Sequence, residues 1–224
     1  MANAPFLGVL MLDTRFPRLP GDIGHPHTFG FPVRRQVVAG ASAQRVVREQ
    51  AQGLLQPFID TALQLVAEGA AAISTSCGFL ALHQPQLQAA LPVPVWSSSL
   101  LKLAELPAGS AGVVTVDPLA LTPEHLHAVG APADVPVAGL LPGSRLQRCL
   151  IGDEPELDAA NAEAEVVAAA LRLLQQGPLQ HIVLECTNMP PYAAAVHAAT
   201  GATVHDIATV LTERWSALFH SQAK

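Results

Sequence analysis

"AAISTSCGFL", residues 71–80, is an apolar run that climbs to a cysteine and then meets a glycine that lets the chain turn. A second run, "HIVLECTNMP" at 181–190, repeats the pattern: aliphatic residues lead to Cys186, and a polar turn follows. Both read as short buried strands, each with a helix-like segment after it. The chain therefore reads as two similar halves, each built on a strand–Cys–helix unit.

Working outward, "PFLGVLML" (5–12) is a strand bounded by Asp13. The Pro- and Gly-rich stretch that follows, 13–33, is long enough to be a lid or binding loop. Ser42 can cap a helical stretch that runs to Glu68 and stops at Gly69, and Pro57 predicts two helices or a kink there. "GFLALHQPQLQAAL" (78–91) reads as a helix disturbed by Pro85. Further strands are expected at 93–98, 110–116 and 136–141, with a helix at 122–130 capped by Thr122. The clearest helix spans 153–177, with Asp153 as its cap and Gly177 as its end. A helix at 190–201, a last strand at 202–207 and a terminal helix at 208–219 complete the pattern. Strands alternating with helices argue for parallel sheets and an α/β fold.

Composition narrows the function. Half of the 224 residues are hydrophobic and 13% are charged, so there is ample material for a core. The net charge is -6 and Lys and Arg form no cluster, which argues against a nucleic-acid partner. No run approaches the roughly 18 apolar residues of a membrane span. "MANAPFLGVLMLDTRF" lacks the basic start of a signal peptide, and three scattered cysteines make no disulfide framework. A cytoplasmic protein with free thiols is expected. There is no phosphate-binding glycine pattern, no dinucleotide fingerprint and no Cys-x-x-Cys. His25 and His27, near Asp22, lack further ligands at metal-binding spacing, so no metal is expected.

In open α/β sheets, ligands bind beyond the carboxyl ends of the strands, where both cysteines fall. A helix start behind each would favour the thiolate. One thiolate and one thiol on opposite faces of a carbon make a two-base proton shuttle. The plainer reading is that a buried cysteine packs as a small hydrophobe, and Cys149 is read that way. For Cys77 and Cys186 the polar turns weigh against it: Thr75, Ser76, Thr187 and Asn188 supply groups that can receive a carboxylate. Arg15 and Arg18 lie in the long loop, and Arg15 is the candidate carboxylate clamp. Thr115 and Asp117 are candidates to line the cleft from the second half. His205 with Asp206 is read as a structural pair, and Tyr192 as packing.

"LECTNMP" is similar to the second-cysteine motif of the aspartate/glutamate/hydantoin racemase superfamily, and "ISTSCG" sits where that family has its first cysteine. "MLDT" resembles its Asp-Ser turn, "GVVTVDPLALTPEHL" the strand and loop that open its second domain, and "TVHDIA" its closing strand. The resemblance implies two pseudo-symmetric, flavodoxin-like α/β domains with the active site in the cleft between them. The first would be 1–96 plus 205–224, carrying Cys77, and the second 97–204, carrying Cys186. It implies no cofactor, a homodimer, and a small carboxylate substrate. Cys77 and Cys186 would be the acid/base pair, Thr187 a carboxylate contact, and Asp13 and Thr14 cleft residues. Gly78 and Phe79 stand where glutamate racemases have Asn-Thr. The expected activity is racemisation or epimerisation next to a carboxylate. The alternatives are a cysteine-dependent cis–trans isomerase or decarboxylase of the same superfamily, a small-acid binding protein without turnover, and a redox dithiol protein.

Overall fold

The computed structural model describes residues 4–220. Strand β1 (Phe6–Met11) is buried along its whole length and sits inside a four-stranded parallel sheet. Its partners are β2 (Val33–Val37), β3 (Ala70–Thr75) and β4 (Val95–Trp96), in the order β2-β1-β3-β4. A second parallel sheet contains β5 (Ala111–Thr115), β6 (Val137–Gly139), β7 (His181–Leu184) and β8 (Thr203–His205), in the order β6-β5-β7-β8. The two orders are the same permutation, so β3 and β7, the strands that end at the cysteines, occupy equivalent places.

A sheet buried on both faces demands continuous apolar strands. In β1 alternate side chains divide between two cores. Phe6 and Leu10 join the large core that runs through both halves of the molecule. Leu7, Val9 and Met11 join Ala72, Trp96 and the apolar face of the last helix, Ile207, Leu211 and Trp215. That helix, α8 (Ile207–His220), follows β8 of the second sheet yet packs on the first, so it ties the halves together.

The other helices are α1 (Ala43–Val47), α2 (Leu55–Ala67), α3 (Gln84–Ala90), α4 (Pro123–Ala128), α5 (Arg145–Gly152), α6 (Ala159–Leu174) and α7 (Ala193–Thr200). In α6 the buried residues Ala162, Val166, Ala169, Ala170 and Leu173 recur at helical spacing. Small alanines let α6 lie close to the second sheet.

Several sequence expectations need correction. Strand β2 was not expected, because it is an edge strand with two arginines and no fully buried residue. The break in the first helical stretch lies before Pro57, where Gln50, Ala51 and Gly53 have positive φ (52°, 51° and 73°). Pro57 itself is in the first turn of α2, where its missing N–H costs nothing. The segment after Cys77 begins as a 3-10 helix, Gly78–His83, and Pro85 then starts α3 rather than disturbing it. Asp153 does not cap the long helix. It closes α5 in a left-handed conformation, and Asp158 caps α6 by accepting the Asn161 N–H. Pro155 between them prevents one continuous helix. Among the described residues no helix is long and apolar enough to cross a membrane.

Candidate functional site

The carboxyl ends of β3 and β7 face one cavity. Cys77 and Cys186 both line it, with Ser76, Gly78, Thr187 and Asn188 from the same two turns. Thr14 also lines it, and Leu12, Phe16, Val47, Phe79, Val116, Leu150 and Ile151 supply apolar walls. All three cysteines are free thiols.

The two turns are interlocked. Ser76 N–H donates to the Leu10 carbonyl at 2.9 Å, and its hydroxyl oxygen accepts the Leu12 N–H at 2.8 Å. Glu185 occupies the equivalent place before Cys186. Its N–H donates to the Val114 carbonyl at 2.8 Å, and its Oε2 accepts the Thr115 hydroxyl at 2.7 Å. Across the cavity floor, Thr187 donates its hydroxyl to the Ser76 carbonyl at 2.6 Å. The reciprocal position is Gly78. A Cβ there would collide with the carbonyl oxygen and the Oε1 of Glu185. Glycine is required by this close approach.

The long loop after β1 closes over the second turn. Arg18 lines the cavity. Its guanidinium pairs with Asp22 at 3.2 Å, donates to the Thr14 hydroxyl at 2.8 Å, and lies over the Phe16 ring at 4.3 Å. Asn188 Nδ2 donates to Asp22 Oδ2 at 2.6 Å, which anchors the loop to the turn after Cys186. Arg18 is the one guanidinium, and Glu185 the one carboxyl, among the cavity-lining residues.

Electrostatics reverse the expectation of a preformed thiolate. Burial pushes both thiols up, and the Glu185 carboxyl pushes them further. The Phe79 and Asn188 N–H groups favour the thiolates of Cys77 and Cys186, but do not outweigh desolvation. Arg18 favours the Cys77 thiolate, whereas Cys77 and Asp22 disfavour that of Cys186. Burial also pushes the Glu185 carboxyl up to about 8, against the smaller opposing effect of Thr115. Burial therefore favours two thiols and a protonated acid at neutral pH. Glu185 Oε1 is buried and has no hydrogen-bond partner among the described residues.

Of the sequence candidates, the structure brings Thr14, Ser76, Cys77, Gly78, Cys186, Thr187 and Asn188 to the cavity wall. Others lie elsewhere. Arg15 points outward, its side chain 77% exposed and paired with Asp153 at 3.0 Å. Asp13 is exposed. Thr75 is buried, its hydroxyl 2.7 Å from the Ser97 carbonyl. Thr115 supports Glu185, and Asp117 pairs with Arg48 at 3.2 Å. Glu185 was missed by sequence reasoning. Its signal was a carboxylate closing the apolar run "HIVLE", matched by a glycine after the other cysteine.

No family model matches the chain. In sequence it is similar to dimethylsulfoniopropionate lyase 7 of Emiliania huxleyi, 31% identical over 224 residues, which is 92% of this chain and 64% of that protein. It is also 28% identical over 213 residues to a dimethylsulfoniopropionate lyase of Durusdinium sp. clade D, covering 89% of this chain and 70% of that one. The chain spans 64% and 58% of the length of the first two such relatives. Among solved structures, unliganded arylmalonate decarboxylase superimposes with a TM-score of 0.61 at 17% identity, over 96% of this chain and 92% of that one. A glutamate racemase of Bacillus anthracis gives 0.57 at 14% identity, over 97% and 82%. This is the two-domain α/β fold of the aspartate/glutamate racemases.

Proposed function

We propose that this protein is a lyase that removes a proton next to a carboxylate and expels a leaving group from the neighbouring carbon. The substrate class is a small carboxylate with a sulfonium group at its β-carbon, dimethylsulfoniopropionate being the test compound. The observation that carries this reading is the cavity lining: two thiols, one guanidinium and one carboxyl within mainly apolar walls. Sequence similarity to dimethylsulfoniopropionate lyases along 92% of the chain supports it.

The chemistry follows from these groups. Arg18 would receive the substrate carboxylate and the charge that spreads onto it as the α-proton leaves, while Thr187, its hydroxyl donated to the Ser76 carbonyl, fixes the turn beside it. A thiolate of Cys77 or Cys186 takes that proton. The electron pair of the broken C–H bond forms the carbon–carbon double bond, and the pair of the breaking C–S bond leaves with sulfur. Dimethylsulfoniopropionate and a thiolate thus give dimethyl sulfide, acrylate and a thiol, which returns its proton to solvent. The neutral resting thiols fit a positively charged substrate. An arriving cation in a poorly solvated cavity favours the ionised form of every acid around it.

A headspace assay tests this. Dimethyl sulfide should evolve from dimethylsulfoniopropionate with the wild-type protein and fall to background when the base thiol is replaced by alanine. Absence of dimethyl sulfide from folded, reduced protein would overturn the lyase reading. A second reading, racemisation, is favoured by one observation: both thiols reach the same cavity, whereas elimination needs one base. Exchange of an α-proton that requires both thiols, without elimination, would establish it.

A further inference from the structure

We propose that Glu185 is the counter-charge for the cationic group of the substrate, so that the site selects carboxylates bearing an alkylated cation over neutral ones of the same shape. The inference deepens the lyase reading and rests on it for the substrate class.

Three observations converge. Glu185 lines the cavity, and its Oε1 is buried without a hydrogen-bond partner. An oxygen buried in this way is destabilising unless a ligand answers it. Second, the fold makes room for it. Gly78 is the residue whose Cβ would run into the Oε1, so the first turn is shaped around the carboxyl of the second. Third, the walls are mainly apolar and, among the lining residues, offer no other anion: the charged side chains there are Arg18, held by Asp22, and Glu185.

A sulfonium or quaternary ammonium group has no N–H or O–H to donate. It is recognised by charge and by contact with apolar surface, not by a hydrogen-bond network. A carboxyl oxygen without a hydrogen-bond partner, in a cavity with mainly apolar walls, meets both needs, and Arg18 remains for the carboxylate. Without a cation beside it the carboxyl holds its proton at neutral pH, since burial raises its pKa to about 8. The titratable groups coupled to it are the Cys77 and Cys186 thiols, and Arg18, held by Asp22, lines the same cavity. Binding of a cation stabilises the carboxylate, so below that pH the ligand displaces a proton. Affinity for the cation should therefore rise with pH up to about 8 and level off above it.

Two unreactive acids of matched shape test the proposal: 3-(trimethylammonio)propionate and 4,4-dimethylpentanoate, which differ by one charge. By calorimetry above pH 8, wild-type protein should bind the cationic acid about ten-fold or more tightly than the neutral one. Glu185→Gln should bring the two affinities within about two-fold, chiefly by weakening the cation. At neutral pH, titrations in two buffers of different ionisation enthalpy should show release of about one proton with the cationic acid and none with the neutral one. The release should persist in Cys77→Ala and Cys186→Ala, which separates the Glu185 proton from a thiol proton, and this measurement stands even if Glu185→Gln does not fold. Equal affinities in the wild type, or a preference that survives in Glu185→Gln, would overturn the proposal. Neither readout requires turnover: a cation preference without dimethyl sulfide would remove the lyase reading alone, and dimethyl sulfide without a cation preference would remove this one alone.

Discussion

The two cysteine turns hold the same place in two sheets of the same strand order, yet they carry different chemistry. Before Cys77 stands Ser76, whose small hydroxyl is spent on the backbone of β1. Before Cys186 stands Glu185, anchored to Thr115 on β5 by one oxygen and left with the other free. After Cys77 stands Gly78, and after Cys186 stands Thr187. Each of these sits against the residue before the opposite cysteine: Thr187 on the Ser76 carbonyl, Gly78 on Glu185. Symmetry of fold brings two thiols into one cavity. Asymmetry at four positions gives that cavity a polarity, which a shuttle between mirror-image acids would not require.

Substituting the thiols breaks the comparison hardest. If elimination is the reaction, Cys77→Ala and Cys186→Ala should cost unequally. The base should account for about 10²–10⁴-fold in kcat and its counterpart for about ten-fold. Equal losses, with exchange at both faces, would instead make the turns equivalent and favour a racemase. Arg18→Met should raise KM by about 10- to 100-fold with a smaller fall in kcat, if the guanidinium holds the carboxylate.

Stability sharpens the contrast next. Gly78→Ala should destabilise by about 1–3 kcal/mol through the collision with Glu185. Adding Glu185→Ala relieves only the side-chain part of that clash, so a denaturation double-mutant cycle should show coupling. Glu185 also sets a pH slope. Its carboxyl binds a proton more tightly in the folded than in the unfolded chain, where its pKa is about 4.3. The stability that this adds is complete below the unfolded value and is lost as pH rises to about 8. Urea titrations of Glu185→Gln across that window should show a flatter profile, by up to about 1.4 kcal/mol per pH unit. Arg15→Ala, by contrast, removes an exposed ion pair and should change stability by less than about 1 kcal/mol and leave KM unaltered.

The alternation of apolar runs and helix signals made the parallel α/β fold legible, because strands buried on both faces must be continuously hydrophobic. The two Cys turns were legible for the same reason: polar residues clustered at the ends of such runs. What sequence could not supply was the fold-back of the loop after β1. It brings Arg18 to the cavity and turns Arg15, three residues earlier, outward to Asp153. That choice depends on Asp22 and Asn188, which meet 166 positions apart. Glu185 escaped notice because a carboxylate at a strand end is ordinarily solvated. Only the closure of the first turn over it, through a glycine 107 positions earlier in the chain (185 − 78), buries it. Strand β2 escaped because an edge strand can carry arginines without cost.

Proton NMR of dimethylsulfoniopropionate with the protein in D₂O tests the central claim most directly. Abstraction of the α-proton followed by expulsion of sulfur predicts olefinic acrylate signals growing in step with loss of substrate, and their absence when the base thiol is replaced. Intact dimethylsulfoniopropionate, beside a chiral carboxylic acid that loses its α-proton only when Cys77 and Cys186 are both present, would contradict it.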